Sequence, residues 1–250
     1  MRLPRERQTA DGLILVAGGS FGAFSLARYD GSGVLDPSFA SGGVAVSSFG
    51  SSGYATGMVV QSTGAIVLAG TVAEPGHARQ FVLTRFTSAG ALDPTFGTAG
   101  QATAPADATR DLVALRRAAG DGLLMIGSSG GATVVRYDSA GHLDPTFGTG
   151  GVFWRGDFDA TDGAIQVDGA IVITGFIDLS IATSRITAAG ALDPTFGNGG
   201  TVAKWGFSFG TSLGFEPNGN VVVAGQILHH VNVQHVFLLR QQDRAVERRE

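Results

Sequence analysis

Two phrases recur along these 250 residues in fixed order. One reads GVLDPSFASGG from Gly33, GALDPTFGTAG from Gly90, GHLDPTFGTGG from Gly141 and GALDPTFGNGG from Gly190. The other reads DGLILVAG from Asp11, TGAIVLAG from Thr63, DGLLMIGS from Asp121, DGAIVITG from Asp168 and NGNVVVAG from Asn218. The Asp of the first phrase falls at 36, 93, 144 and 193, so successive gaps are 57, 51 and 49 residues. A period near 50 residues written in β-type sequence means a propeller or a β-solenoid.

Strand placement within one period decides between them. VAVSSF, Val44–Phe49, alternates after Gly-Gly and is strand A. Ala55–Gln61 is strand B, Thr63-Gly64 is a two-residue hairpin turn, and Ala65–Thr71 is strand C. FVLTRF, Phe81–Phe86, is strand D. Four strands per ~50 residues is one propeller blade, whereas a β-helix coil is shorter. The segment DATRDLVALRRAAG, from Asp107, reads locally as a capped amphipathic helix. Repeat register makes its Asp111–Arg117 part a strand B, and tertiary context overrides propensity. The expected fold is therefore all-β, a β-propeller of about five blade positions, with one domain over 11–240. Its units span about 11–42, 43–99, 100–150, 151–199 and 200–240. Residues 1–10 are expected to form a basic tail, and 241–250 a charged one. The first unit shows only strands C and D. The sequence thus predicts an incomplete first blade in a strained or open ring. An exposed strand-C edge would then self-associate, or belong to a longer protein.

The two phrases, with an Arg-aromatic pair before each LDP, resemble the delta-60 repeat of bacterial β-propeller proteins. The resemblance spans about Asp11 to Arg240. It implies a propeller, often within a larger exported or surface protein, and it implies no catalytic activity.

Composition narrows the chemistry. With no Cys there is no disulfide framework, thiolate nucleophile or Cys-ligated metal. The 39 Gly are about twice the usual ~7% share, which fits a chain of many turns. Between residues 8 and 239 stand 10 basic and 17 acidic side chains, and a body of that charge repels nucleic acid. Met1–Ala17 has a basic start and an apolar run like a signal peptide, but that run is one of five repeats of the same strand. No run of about 18 apolar residues exists to span a membrane as a helix.

The recurring polar residues have an architectural reading. Arg28, Arg85, Arg136, Arg185 and Arg240 sit in strand D. Asp36, Asp93, Asp144 and Asp193 follow the first four of them by eight residues. A residue needed once per blade ties the blade together, and a planar guanidinium suits an Arg–Asp clamp. The competing reading is a ring of anion-binding arginines. Phe39, Phe96, Phe147 and Phe196 are expected to fill blade seams rather than stack on bases or sugars.

Function is then expected where the units differ. In an up-and-down blade the A–B and C–D connections share one face, and these are the variable ones. That face is expected to hold Tyr54, His77, Arg155, Asp157, Asp159, Trp205, Phe207, His229 and His230. Neither His229-His230 nor the acidic stretch Asp157–Gly163 has the spacing of a standard zinc or EF-hand site, so no metal and no cofactor is expected. No GxSxG, HExxH or P-loop is present. The expectation is a non-catalytic scaffold or binding module for a protein or carbohydrate. The alternative is a hydrolase or lyase at the propeller mouth, with Asp157 and Asp159 as acid and base. Nothing in the sequence fixes the compartment.

Overall fold

The computed structural model describes residues 5–9, 12–20, 22–49, 52–73, 80–105, 111–128, 130–178, 180–204 and 208–227. The fold is all-β, of the propeller class: among the described residues there are antiparallel sheets and no α-helix. The first sheet is β1 (Arg5–Gln8), β2 (Ile14–Ser20), β3 (Ala23–Tyr29) and β4 (Val44–Ser48). The second is β5 (Ser52–Val60), β6 (Ile66–Ala73), β7 (Gln80–Phe86) and β8 (Gln101–Thr103). The third is β9 (Asp111–Arg117), β10 (Leu123–Ser128), β11 (Ala132–Tyr137) and β12 (Val152–Arg155). The fourth is β13 (Asp159–Ile165), β14 (Ile171–Ile177), β15 (Ser180–Ile186) and β16 (Thr201–Lys204). Then β17 (Ser208–Phe215) pairs β18 (Val221–Ile227).

Each four-stranded sheet runs B, C, D, A, not A to D within one repeat. The LDP phrase is a hairpin that folds strand A back on strand D, with Ala27 opposite Val44 and Thr84 opposite Gln101. The A–B segment then crosses to the next sheet. The first sheet is consequently four-stranded, which corrects the expected two-stranded first blade. Arg5–Gln8 is strand B, with Arg7 opposite Leu15, and it covers the strand-C edge on which self-association was expected. RERQ lacks apolar alternation, so nothing in it announces a strand. Among the described residues β1 is the edge of its sheet, a place where charged side chains are common.

The B–C turn is longer than Thr63-Gly64. Gly64 N–H donates to the Gln61 carbonyl at 3.0 Å and Gln61 N–H to the Ala65 carbonyl at 2.8 Å, with Gly64 at φ +81°. That is a type I turn closed by a left-handed glycine. Asp111–Arg117 is a strand, as the repeat register requires, while Asp107–Arg110 lie outside the described residues.

A bulge recurs in strand B. Register shifts between Ala55 and Gly57, between Ala160 and Asp162, and between Gly210 and Ser212. The strand-C glycine opposite explains the fixed Gly of the repeated apolar phrase. A Cβ on Gly70 would lie 1.9 Å from the Tyr54 carbonyl oxygen, and one on Gly175 1.9 Å from that of Asp159. Only glycine lets the bulged carbonyl approach so closely.

The chain divides into two compact units, Met1–Ser129 with Thr133–Trp154, and Gly130–Ala132 with Arg155–Glu250. In the first unit β5 packs on β2 and β3, and β9 packs on β5 and β6. Its core lies between those sheets and includes Leu15, Phe24, Leu26, Leu68, Phe81, Leu83, Leu123 and Met125, all at most 1% exposed. In the second unit β17 packs on β13, β14 and β15, around Val172, Ile181, Val221 and Val223.

Candidate functional site

Recurring charge is spent inside the sheets and their seams. In the LDPSF turn the Phe39 N–H donates to the Asp36 carbonyl at 3.2 Å, with Pro37 at the position its fixed φ suits. The turn delivers Asp36 beneath strand D, where Arg28 Nε donates to its Oδ2 at 2.8 Å. The other oxygen, Oδ1, accepts the Ser38 N–H at 2.9 Å and the Ser38 hydroxyl at 2.6 Å. Arg28 Nη2 returns to Ser38 Oγ at 3.2 Å, so the three side chains close on themselves. Arg85, Asp93 and Thr95 repeat the figure, as do Arg136, Asp144 and Thr146. In the second unit Arg185 Nε lies 2.9 Å from Asp193 Oδ2, and Thr195 caps Oδ1. Hydrogen bonds from Ser38, Thr95, Thr146 and Thr195 come first among the causes that hold these carboxyls below their ordinary range, with the arginines adding to it. The Ser/Thr two residues after each Asp was the available signal for this third member.

The remaining guanidinium nitrogen reaches the next sheet. Arg28 Nη1 donates to the Ser88 carbonyl at 2.9 Å and Arg85 Nη1 to that of Ser139 at 2.7 Å. Beneath them Phe39 and Phe96 are fully buried, with the guanidinium carbons 4.6 and 4.7 Å from the ring centroids. A Cβ on Gly90 would meet the Phe39 ring at 2.9 Å, and one on Gly141 the Phe96 ring at 2.7 Å. Each Phe therefore sits under a glycine of the following sheet, at φ +86° and +85°. Buried rings and occupied guanidiniums leave neither available to an outside ligand. Arg240 lies outside the described residues.

The variable end presents a different set. Tyr54, one residue before the β5 bulge, is 58% exposed. Arg155 ends β12 and is mostly buried. Its Nη1 donates to Ser184 Oγ at 2.8 Å and Thr201 Oγ1 at 2.7 Å. Its Nε and Nη2 grip Asp157 at 2.6 and 3.1 Å, and this fork holds the Asp157 carboxyl below its usual range. Ser47 stands at the matching place of β4, bonded to Thr84 Oγ1 at 3.1 Å and to Gln101 Nε2 at 3.1 Å. Arg155 thus occupies a seam position that a small hydroxyl fills elsewhere. Asp159 accepts the Gly131 N–H at 3.3 Å, while Asp162 accepts the Leu213 N–H at 3.0 Å. The acidic stretch Asp157–Asp162 is therefore divided among separate partners. Among the described residues no three His, Asp or Glu side chains gather for a metal. His77, Trp205, Phe207, His229 and His230 lie outside the described residues.

Comparison with known proteins agrees on the fold. Residues 9–39 and 61–96 match a family model described as a domain of unknown function (DUF5122) beta-propeller. No curated protein matches the chain. A protein of unknown function from Bacteroides caccae superposes with a TM-score of 0.51 at 13% identity, covering 87% of this chain and 69% of that one. A protein from Lactobacillus plantarum superposes with a TM-score of 0.56 at 13% identity, covering 94% and 69%. At that identity the likeness is one of fold.

Proposed function

We propose that the chain is a non-catalytic propeller that binds a protein or carbohydrate partner through its variable loop end. One contrast carries this reading. The recurring Arg, Asp and Phe side chains are consumed in seams, while Tyr54 stands 58% exposed where the units differ. An exposed aromatic on a rigid strand is an economical anchor for a sugar ring or a partner's apolar side chain. The delta-60 resemblance fits the same scaffold role. The alternative, an acid–base pair of Asp157 and Asp159, meets a physical objection. The Arg155 fork favours ionised Asp157, which is the wrong direction for a general acid at neutral pH.

Glycan-array and pull-down screening of the whole chain tests the proposal. Binding that drops at least tenfold in a Tyr54→Ala, Trp205→Ala, Phe207→Ala variant with unchanged far-UV circular dichroism supports it. Binding that survives all three substitutions moves the site elsewhere. Turnover of an ester, lactone or glycoside that Asp157→Ala abolishes would replace it with the hydrolase.

A further inference from the structure

Three B strands of the first unit end around a cleft of about 410 Å³. It is lined by Arg7, Thr9, Val60, Gln61, Arg116 and Arg117 among others. It lies at the B–C turn end, opposite to the loops of the previous proposal. We propose that this cleft is an oxyanion site for a small molecule bearing phosphate or clustered carboxylates.

Three observations converge on it. The first is charge. Of the ten basic residues between 8 and 239, Arg116 and Arg117 are adjacent in sequence, and β1 brings Arg7 to the same cleft within a body of opposite sign. A cationic concavity with low-dielectric walls concentrates an anion despite a negative surround.

The second is register. Arg7 pairs Leu15 in strand C, and Arg116 pairs Leu124. Val59 holds the matching place in β5, Ala164 in β13 and Gly214 in β17. A position filled by small or apolar residues in three strands needs no arginine for the blade to form. The two arginines are additions to the frame, unlike Arg28 or Arg85, whose place recurs in each of the four four-stranded sheets.

The third is that the cleft wall is fixed in place. Gln61 is 4% exposed, and its amide donates to the Asp121 carbonyl at 2.9 Å and the Ser139 carbonyl at 3.1 Å. Asp121 accepts Ser62 N–H at 3.0 Å and the Ser62 hydroxyl, and it pairs Arg117 Nε at 3.0 Å. Arg117 Nη1 donates to the Val60 carbonyl at 3.1 Å. These bonds hold Arg117 across the turn, so its guanidinium edge is preorganised at the cleft. Planar guanidiniums bind phosphate and carboxylate oxygens in pairs, which is the recognition this wall supports. A cleft of this size suits a compact anion rather than a polymer.

Isothermal titration of the whole chain at low ionic strength, with inorganic phosphate in one arm and citrate in the other, tests the site. Glycerol serves as the neutral control. Saturable binding of phosphate, citrate or both, with none of glycerol, is expected, and the stronger arm identifies the anion class. Arg7→Gln and Arg116→Gln should each weaken binding about tenfold while the thermal midpoint stays close to the parent's. Should Arg116→Gln fail to fold, Arg7→Gln, on an exposed strand, still decides. Heat-silent titration of both anions up to 10 mM, confirmed by an unchanged thermal midpoint, would overturn the proposal. So would undiminished binding by Arg7→Gln.

Discussion

Arg85 and Asp93 meet at 2.8 Å through Nε and Oδ2, and the same guanidinium reaches the Ser139 carbonyl of the following sheet at 2.7 Å. One side chain therefore fixes its own D-strand hairpin and the seam to the next sheet. This is why the arginine recurs at blade spacing, and why lysine does not stand in for it: three directed donors are used in one plane.

Arg85→Lys is expected to destabilise nearly as much as Arg85→Ala. Lysine keeps the charge but cannot serve Asp93, Thr95 and Ser139 together. Charge-assisted hydrogen bonds of this kind contribute about 1.5–3 kcal/mol, so both variants should lose at least that much in denaturant unfolding. A lysine variant as stable as the parent would show that charge alone matters.

Acid should weaken the fold through the four clamps. The carboxyls of Asp36, Asp93, Asp144 and Asp193 are held below their ordinary values, chiefly by the neighbouring Ser or Thr. A depressed folded-state value gives stability that is present above the unfolded carboxyl's titration, about pH 4, and lost as pH falls through the folded one. Thr95→Val removes the leading cause at Asp93. The folded Asp93 carboxyl then rises toward its ordinary value, so the variant's acid-dependent loss should be smaller than the parent's and complete at higher pH, as read by urea midpoints between pH 2 and 7.

Gly175→Ala should destabilise strongly. It drives a Cβ into the Asp159 carbonyl, so a loss above about 3 kcal/mol is expected in urea unfolding, if the variant folds at all. A loss below about 1 kcal/mol, the ordinary scale of a glycine-to-alanine change, would contradict the bulge explanation.

Arg155→Gln should release Asp157. With the fork gone, the Asp157 carboxyl loses the main cause of its depression and its titration, followed by carboxyl-detected NMR, should move up toward the ordinary value. The loss of the Ser184 and Thr201 contacts should also lower stability.

The fold was legible because its period is written in residues that physics constrains. A left-handed glycine, a proline-fixed turn and an Arg–Asp pair each tolerate little substitution, so LDPTFG survives as a readable phrase. Sheet membership was not legible. Strand A can fold back on D or lead into B, and only the pairing of Val44 with Ala27 distinguishes the two. Arg5–Gln8 is not readable as a strand because RERQ carries no apolar alternation. At the variable end, sequence marks difference without marking direction. Arg155 reads as a loop cation, yet it fills the place of Ser47 in a seam. The cleft arginines were readable only once Arg7 and Arg116 were placed in the register of Val59.

The recurring Arg and Asp act as a mutual architectural clamp. A double-mutant cycle of Arg85→Ala and Asp93→Ala, read by equilibrium unfolding in urea, measures how strongly the two depend on each other. The two clamp residues are in contact, so a coupling of about 1.5 kcal/mol or more is predicted, each single change costing nearly as much as both. Losses that add within about 0.3 kcal/mol would contradict it, because residues that do not act on one another add.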